Sequence, residues 1–131
     1  MMKRMVGMGL VLSFLGVGGT AWAGYRDNFP VVVDSTNRMF YASMGGARNS
    51  SDNFSFVEIV FQGDSSTGER ALLAARNASG QMGFCIATSA SVLSALKGIT
   101  DDGYLVVYWD ANLNCTSAEV RATSYLDPRN P

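Results

Sequence analysis

Residues 54–88 run FSFVEIVFQGDSSTGERALLAARNASGQMGFCIAT, and their alternation separates strand from helix for the whole chain. Phe54, Phe56 and Val60 share one face of residues 54–62, and Val57, Ile59 and Phe61 share the other. Both faces want burial, so the pattern predicts a central strand. Glu58 interrupts the first face and needs a partner or an exit to solvent, because an unpaired buried carboxylate is costly. Asp64, Ser65, Ser66, Thr67 and Gly68 then make a turn. Residues 69–77 contain good helix formers, among them Leu72, Leu73, Ala74 and Ala75, and leave strand and helix both open. Context favours a hairpin: Asn77, Ala78, Ser79 and Gly80 form a compact turn, and Met82, Phe84 and Ile86 then alternate against Gly83, Cys85 and Ala87.

The same short, β-branched and aromatic runs recur on either side. Strands are expected at residues 30–34, 38–44, 54–62, 70–77, 81–88 and 104–110, with a last one from Cys115 through about residue 126. Between the second and third, residues 45–53 read as a long polar loop. Ser89 or Ser91 caps a short helix near residues 90–99, where Val92, Leu93, Ala95, Leu96 and Ile99 give one apolar stripe. The expected architecture is mainly β, an antiparallel sandwich or flattened barrel of six or seven short strands. Cys85 and Cys115 are the two cysteines of the chain, so one disulfide is possible, and it would enclose the helical crossover.

The N-terminus has the layout of a secretory signal. Lys3 and Arg4 precede an apolar run over residues 5–19, and Ala21 and Ala23 flank Trp22 as a small-x-small cleavage site. Cleavage after residue 23 leaves one domain over residues 24–131, with a tail that frays from about residue 127. It also moves the formal charge from -1 to about -3. The remaining basic residues are scattered singly, which argues against nucleic acid and against a polybasic membrane patch. No stable membrane insertion is expected after cleavage, and the protein is expected in the periplasm or outside the cell.

The chain has no histidine. That removes the usual general base of serine and cysteine hydrolases and the histidine ligands of zinc, copper and non-haem iron sites. Ser94 and Lys97 match an SxxK pattern and residues 51–53 an SDN pattern, but in reversed order and with no KTG after them. Asp52 with Asn53, or Asp101 with Asp102, offer oxygen ligands without a calcium-loop pattern. No cofactor and no metal are therefore expected. Glu58, Glu69 and Glu119 are the carboxylates from which an acid/base pair for glycoside hydrolysis would have to come. The aromatic residues Tyr25, Tyr41, Tyr104, Tyr108, Trp109 and Tyr125 are candidates for a binding surface. Tyr41 and Tyr108 suit an outer face, whereas Trp109 in a central strand suits burial.

Three stretches, Ala47 to Asp52, Ala75 to Gly80 and Trp109 to Cys115, resemble small exported bacterial proteins of unknown function. The resemblance implies export and a disulfide-stapled β fold, and transfers no catalytic residue. Members it is similar to carry further cysteines around the positions of Phe61 and Leu73, which implies an apolar contact here in place of a second bridge. The leading expectation is a non-enzymatic module acting by protein contact, either inhibitor-like or a surface-assembly subunit. Its candidate binding residues are Tyr41, Tyr108, Trp109, Arg48, Asn49 and Asp52, and its partner is an unknown protein or a polysaccharide. A carbohydrate-binding module using exposed aromatics is the first alternative, and a carboxylate-based hydrolase the second.

Overall fold

A computed structural model describes residues 29–123. The signal segment, Tyr25, Tyr125 and the tail from residue 127 lie outside the described residues. Among the described residues seven strands and two helices follow in the order β1 (Val32–Asp34), β2 (Met39–Ser43), α1 (Met44–Arg48), β3 (Phe56–Asp64), β4 (Gly68–Arg76), β5 (Met82–Ala87), α2 (Ala90–Leu96), β6 (Tyr104–Trp109) and β7 (Cys115–Arg121). They form two antiparallel sheets, one in the order β1-β2-β6-β7 and one in the order β3-β4-β5.

The sandwich follows from alternation. Val33, Phe40, Ala42, Leu105 and Val107 point inward from the four-stranded sheet, and Ala71, Leu73, Ala75, Cys85 and Ala87 from the three-stranded one. Each fully buried leucine among them is worth about 1.5–3 kcal/mol of transfer free energy. Helix α2 closes the core with Val92, Leu93 and Leu96, and Ser89 caps it by accepting the Val92 N–H. A disulfide joins Cys85 of β5 to Cys115 of β7 and so ties one sheet to the other.

Residues 69–76 are strand, and Asn77 opens the following turn. β4 pairs with β3 on one side and β5 on the other, from Phe56 opposite Arg76 to Ala71 opposite Ala87. Helix propensity loses here because Ala71, Leu73 and Ala75 are wholly buried only in the extended form, where they share one face. The two turns that bound β4 and β5 place Gly68 at φ 86° and Gly80 at φ 89°, a left-handed region that glycine enters without penalty.

Two expectations need correction. Residues 54–62 do not form a central strand: β3 is the edge of its sheet, and β4 is the centre. Large apolar groups on both faces do not mean burial here, since Phe54 and Phe61 remain 53% and 43% exposed. The polar loop at residues 45–53 begins as helix α1. Its glycines are poor helix formers, so packing rather than propensity makes it. Gly45, Gly46 and Ala47 are small enough to be buried against the sheets, and the buried Ser43 hydroxyl caps the turn by accepting the Gly46 N–H at 2.8 Å.

Candidate functional site

The end of α1 and the loop that follows it contain three of the predicted binding residues, and each is engaged within the fold. Arg48 donates to the Asp101 carbonyl at 2.7 Å and lies 3.8 Å from the Asp102 carboxylate, which fastens α1 to the turn before β6. Asn49 caps α1 with its N–H on the Gly45 carbonyl at 2.8 Å. Asp52 folds the loop around its own carboxylate. One oxygen accepts the Phe54 and Ser55 N–H groups at 2.7 and 2.6 Å, and the other accepts the Ser50 and Ser55 hydroxyls.

These bonds favour the charged form of Asp52. The Ser50 hydroxyl, then the Ser55 and Phe54 N–H groups, hold its carboxyl far below the ordinary value of 3.8. Asp34, Asp64 and Asp110 are lowered in the same sense, chiefly by the Asn37 side chain, the Ser66 hydroxyl and the Asn114 N–H respectively. A depressed folded pKa contributes stability that is complete above the unfolded value and is lost as pH falls toward the folded one. The melting temperature is therefore expected to fall on acidification below about pH 4. Asp52→Asn is expected to lower it at neutral pH and to flatten that acid slope, which thermal unfolding across pH would show. An unchanged slope would remove Asp52 from this role.

Tyr41 and Tyr108 lie on the outer side of the four-stranded sheet. Register puts Tyr41 opposite Val106, Tyr108 opposite Met39 and Tyr104 opposite Ser43, so three tyrosines share that side. The rings of Tyr41 and Tyr104 are 6.3 Å apart, Phe29 meets Tyr104 edge-on at 4.9 Å, and the Arg121 guanidinium stands 5.6 Å over Tyr104. Trp109 is not with them. It points inward from the end of β6, half-buried, toward Gly83 and Phe40.

The carboxylates do not converge. Glu58 is exposed on the outer side of the three-stranded sheet, opposite Ala74. Glu119 stands on the outer side of the other sheet, opposite Val106, and forms an ion pair with Arg121 at 3.1 Å. Glu69 pairs with Lys97 at 2.5 Å. Glu58 and Glu119 thus face opposite directions across the sandwich, too far apart in the fold to share a substrate within one chain.

A second outer surface lies outside the sequence expectations. Phe56, Val60, Leu72, Met82, Phe84 and Ile86 all point away from the core, since their strand neighbours Ala71, Leu73, Ala75, Gly83, Cys85 and Ala87 point into it. Register aligns them into rows: Val60, Leu72 and Ile86 in one, and Phe56, Arg76 and Met82 in another. Met82 is 53% exposed and Phe84 37%. Arg76 lies 5.5 Å over the Phe54 ring and 5.1 Å over that of Phe56, so a cation between two rings borders the residue 45–53 loop. The available signal was the alternation of Met82, Phe84 and Ile86, but alternation does not say which face is inside. No protein-family model, curated protein or solved structure matches the chain.

Proposed function

We propose that this chain is an exported module that acts by protein contact and performs no chemistry of its own. The observation that supports it is the outer face of the three-stranded sheet. Apolar residues of three adjacent strands lie there in register, where a solitary domain usually presents polar groups. Export rests on the layout of residues 1–23, and the Cys85–Cys115 bridge suits an oxidising compartment.

A photo-reactive residue in place of Phe84, in the producing cell, tests the reading. A discrete protein adduct is expected at position 84 and none from the same group at Ser117, which faces out from the opposite sheet. Failure to form any protein adduct at position 84 would sink it.

The shared outer side of Tyr41, Tyr104 and Tyr108 favours a second reading, carbohydrate recognition by stacking on the exposed Tyr108 ring beside the half-buried Tyr41 and Tyr104. Retention on insoluble polysaccharides that drops when Tyr108 and Tyr41 are changed to alanine would support it. Equal retention of the variants, or none by the parent protein, would remove it.

A further inference from the structure

Strand β3 has β4 on one side and, among the described residues, no strand on the other. Such an edge is a template for another chain, and proteins usually blunt it with lysine, proline, a bulge or brevity. β3 has no lysine, proline, bulge or brevity, and its charges are Glu58 and the terminal Asp64. It is nine residues long, reads FVEIVFQGD, and pairs with β4 without a break in register. The other edges are treated differently: β1 has three residues, β7 carries a bulge opposite Tyr108 and Trp109, and the far side of β5 meets the Leu113 carbonyl through the Ile86 N–H at 2.8 Å.

We propose that two copies of this chain pair antiparallel along β3, about a two-fold axis between their Val60 residues. Val60 is the midpoint of residues 56–64, so this axis alone opposes all nine residues. Moving it to Ile59 or Phe61 sacrifices pairs, and moving it to Glu58 sets like charges against each other.

The register completes two side chains that the single copy leaves open. Glu58, which takes no hydrogen bond or ion pair among the described residues, comes opposite the partner's Gln62. Within one copy the Gln62 side-chain oxygen already accepts the Arg70 Nε–H at 2.9 Å, on the same face. Each Glu58 is thereby two strands, about 9.5 Å, from the partner's Arg70, a span that these two long side chains bridge. Symmetry makes that complementarity twice. On the inner side Phe61, 43% exposed, comes opposite the partner's Ile59. The product is a six-stranded sheet in the order β5-β4-β3-β3-β4-β5, with the row of Ile86, Leu72 and Val60 continued across the axis.

The test uses the protein purified with its Cys85–Cys115 bridge intact. Under mild oxidation Val60→Cys is expected to form a covalent dimer, because opposed Cβ atoms come within about 5 Å. Gln62→Cys alone should form no covalent dimer, while a mixture of Glu58→Cys with Gln62→Cys should form the mixed covalent dimer. In sedimentation, Glu58→Arg and Arg70→Glu are each expected to raise the dimer dissociation constant about tenfold, and the two together to restore it. The charge variants keep the proposal open to refutation should Val60→Cys fold poorly. A parent protein that is monomeric at every concentration overturns it, and so does Gln62→Cys cross-linking as readily as Val60→Cys. Position 84 reads a different strand, so either proposal can fail while the other stands.

Discussion

Replacing Cys85 and Cys115 together by alanine is expected to lower the unfolding free energy by about 3.6 kcal/mol, the chain-entropy value for this loop. The bridge closes a sequence separation of 30 residues that includes all of α2, and both sulfurs lie in the core. For a domain of this size, the loss corresponds to a fall in melting temperature of about 15–25 °C. The bond also decides how the sheets meet. β7 carries a bulge: Tyr108 is opposite Ser117, but Trp109 is opposite Cys115, so Thr116 is the extra residue. Without it Cys115 would share the outward side of Ser117; the extra residue turns it inward toward Cys85. Beside it, the Asp110 carboxylate accepts the Asn112 and Asn114 N–H groups at 2.9 Å, which shapes the turn that offers the Leu113 carbonyl to Ile86. Urea titration of the oxidised protein and the double variant measures the difference. A loss under about 1 kcal/mol would mean that the turn and the inter-sheet hydrogen bond hold the sheets together without the bridge.

Strand existence was legible because alternation, turn residues and β-branched content agree with one another at residues 39–43, 82–87 and 104–109. Even residues 68–76, where helix propensity pulls the other way, were recoverable from the turns on either side. Position within a sheet was not. Apolar residues on both faces of β3 describe a strand that is central, or one that is an edge with sticky faces, and the sequence contains no term that separates the two. Helix α1 was illegible for a related reason: its stability comes from Gly45, Gly46 and Ala47 packing under the sheets, a tertiary effect that composition registers only as loop. Among the candidate site residues, Tyr41 and Tyr108 were placed on an outer face by parity alone. Arg48, Asn49 and Asp52 were named for their polarity, and polarity is shared by residues that bind a ligand and residues that shape a loop. The apolar face of the three-stranded sheet was concealed by that same misassigned β3.

Trp109 of one sheet packs over Gly83 of the other, and substitutions there are expected to be strongly non-additive. A Cβ added at Gly83 would stand 2.9 Å from Trp109 Cη2, 3.2 Å from its Cζ3 and 3.3 Å from Phe40 Cδ2. Ring carbons of a side chain wedged between sheets have little room to yield, so Gly83→Ala is expected to cost about 1–3 kcal/mol by overpacking. Glycine otherwise weakens a strand interior, which means the residue is retained here for the space it leaves. Trp109→Ala empties that space and is expected to cost about 3 kcal/mol, the lower end for a tryptophan because this one is only half-buried. In the double variant the new methyl group meets a void instead of an indole. The Gly83→Ala penalty should therefore shrink to the residual contact with Phe40, or change sign as the strand gains a better former. A double-mutant cycle by chemical denaturation is expected to give a coupling of at least about 1 kcal/mol. Strict additivity would mean that the indole moves away from Gly83 in solution, and that Phe40 alone fills the centre of the sandwich.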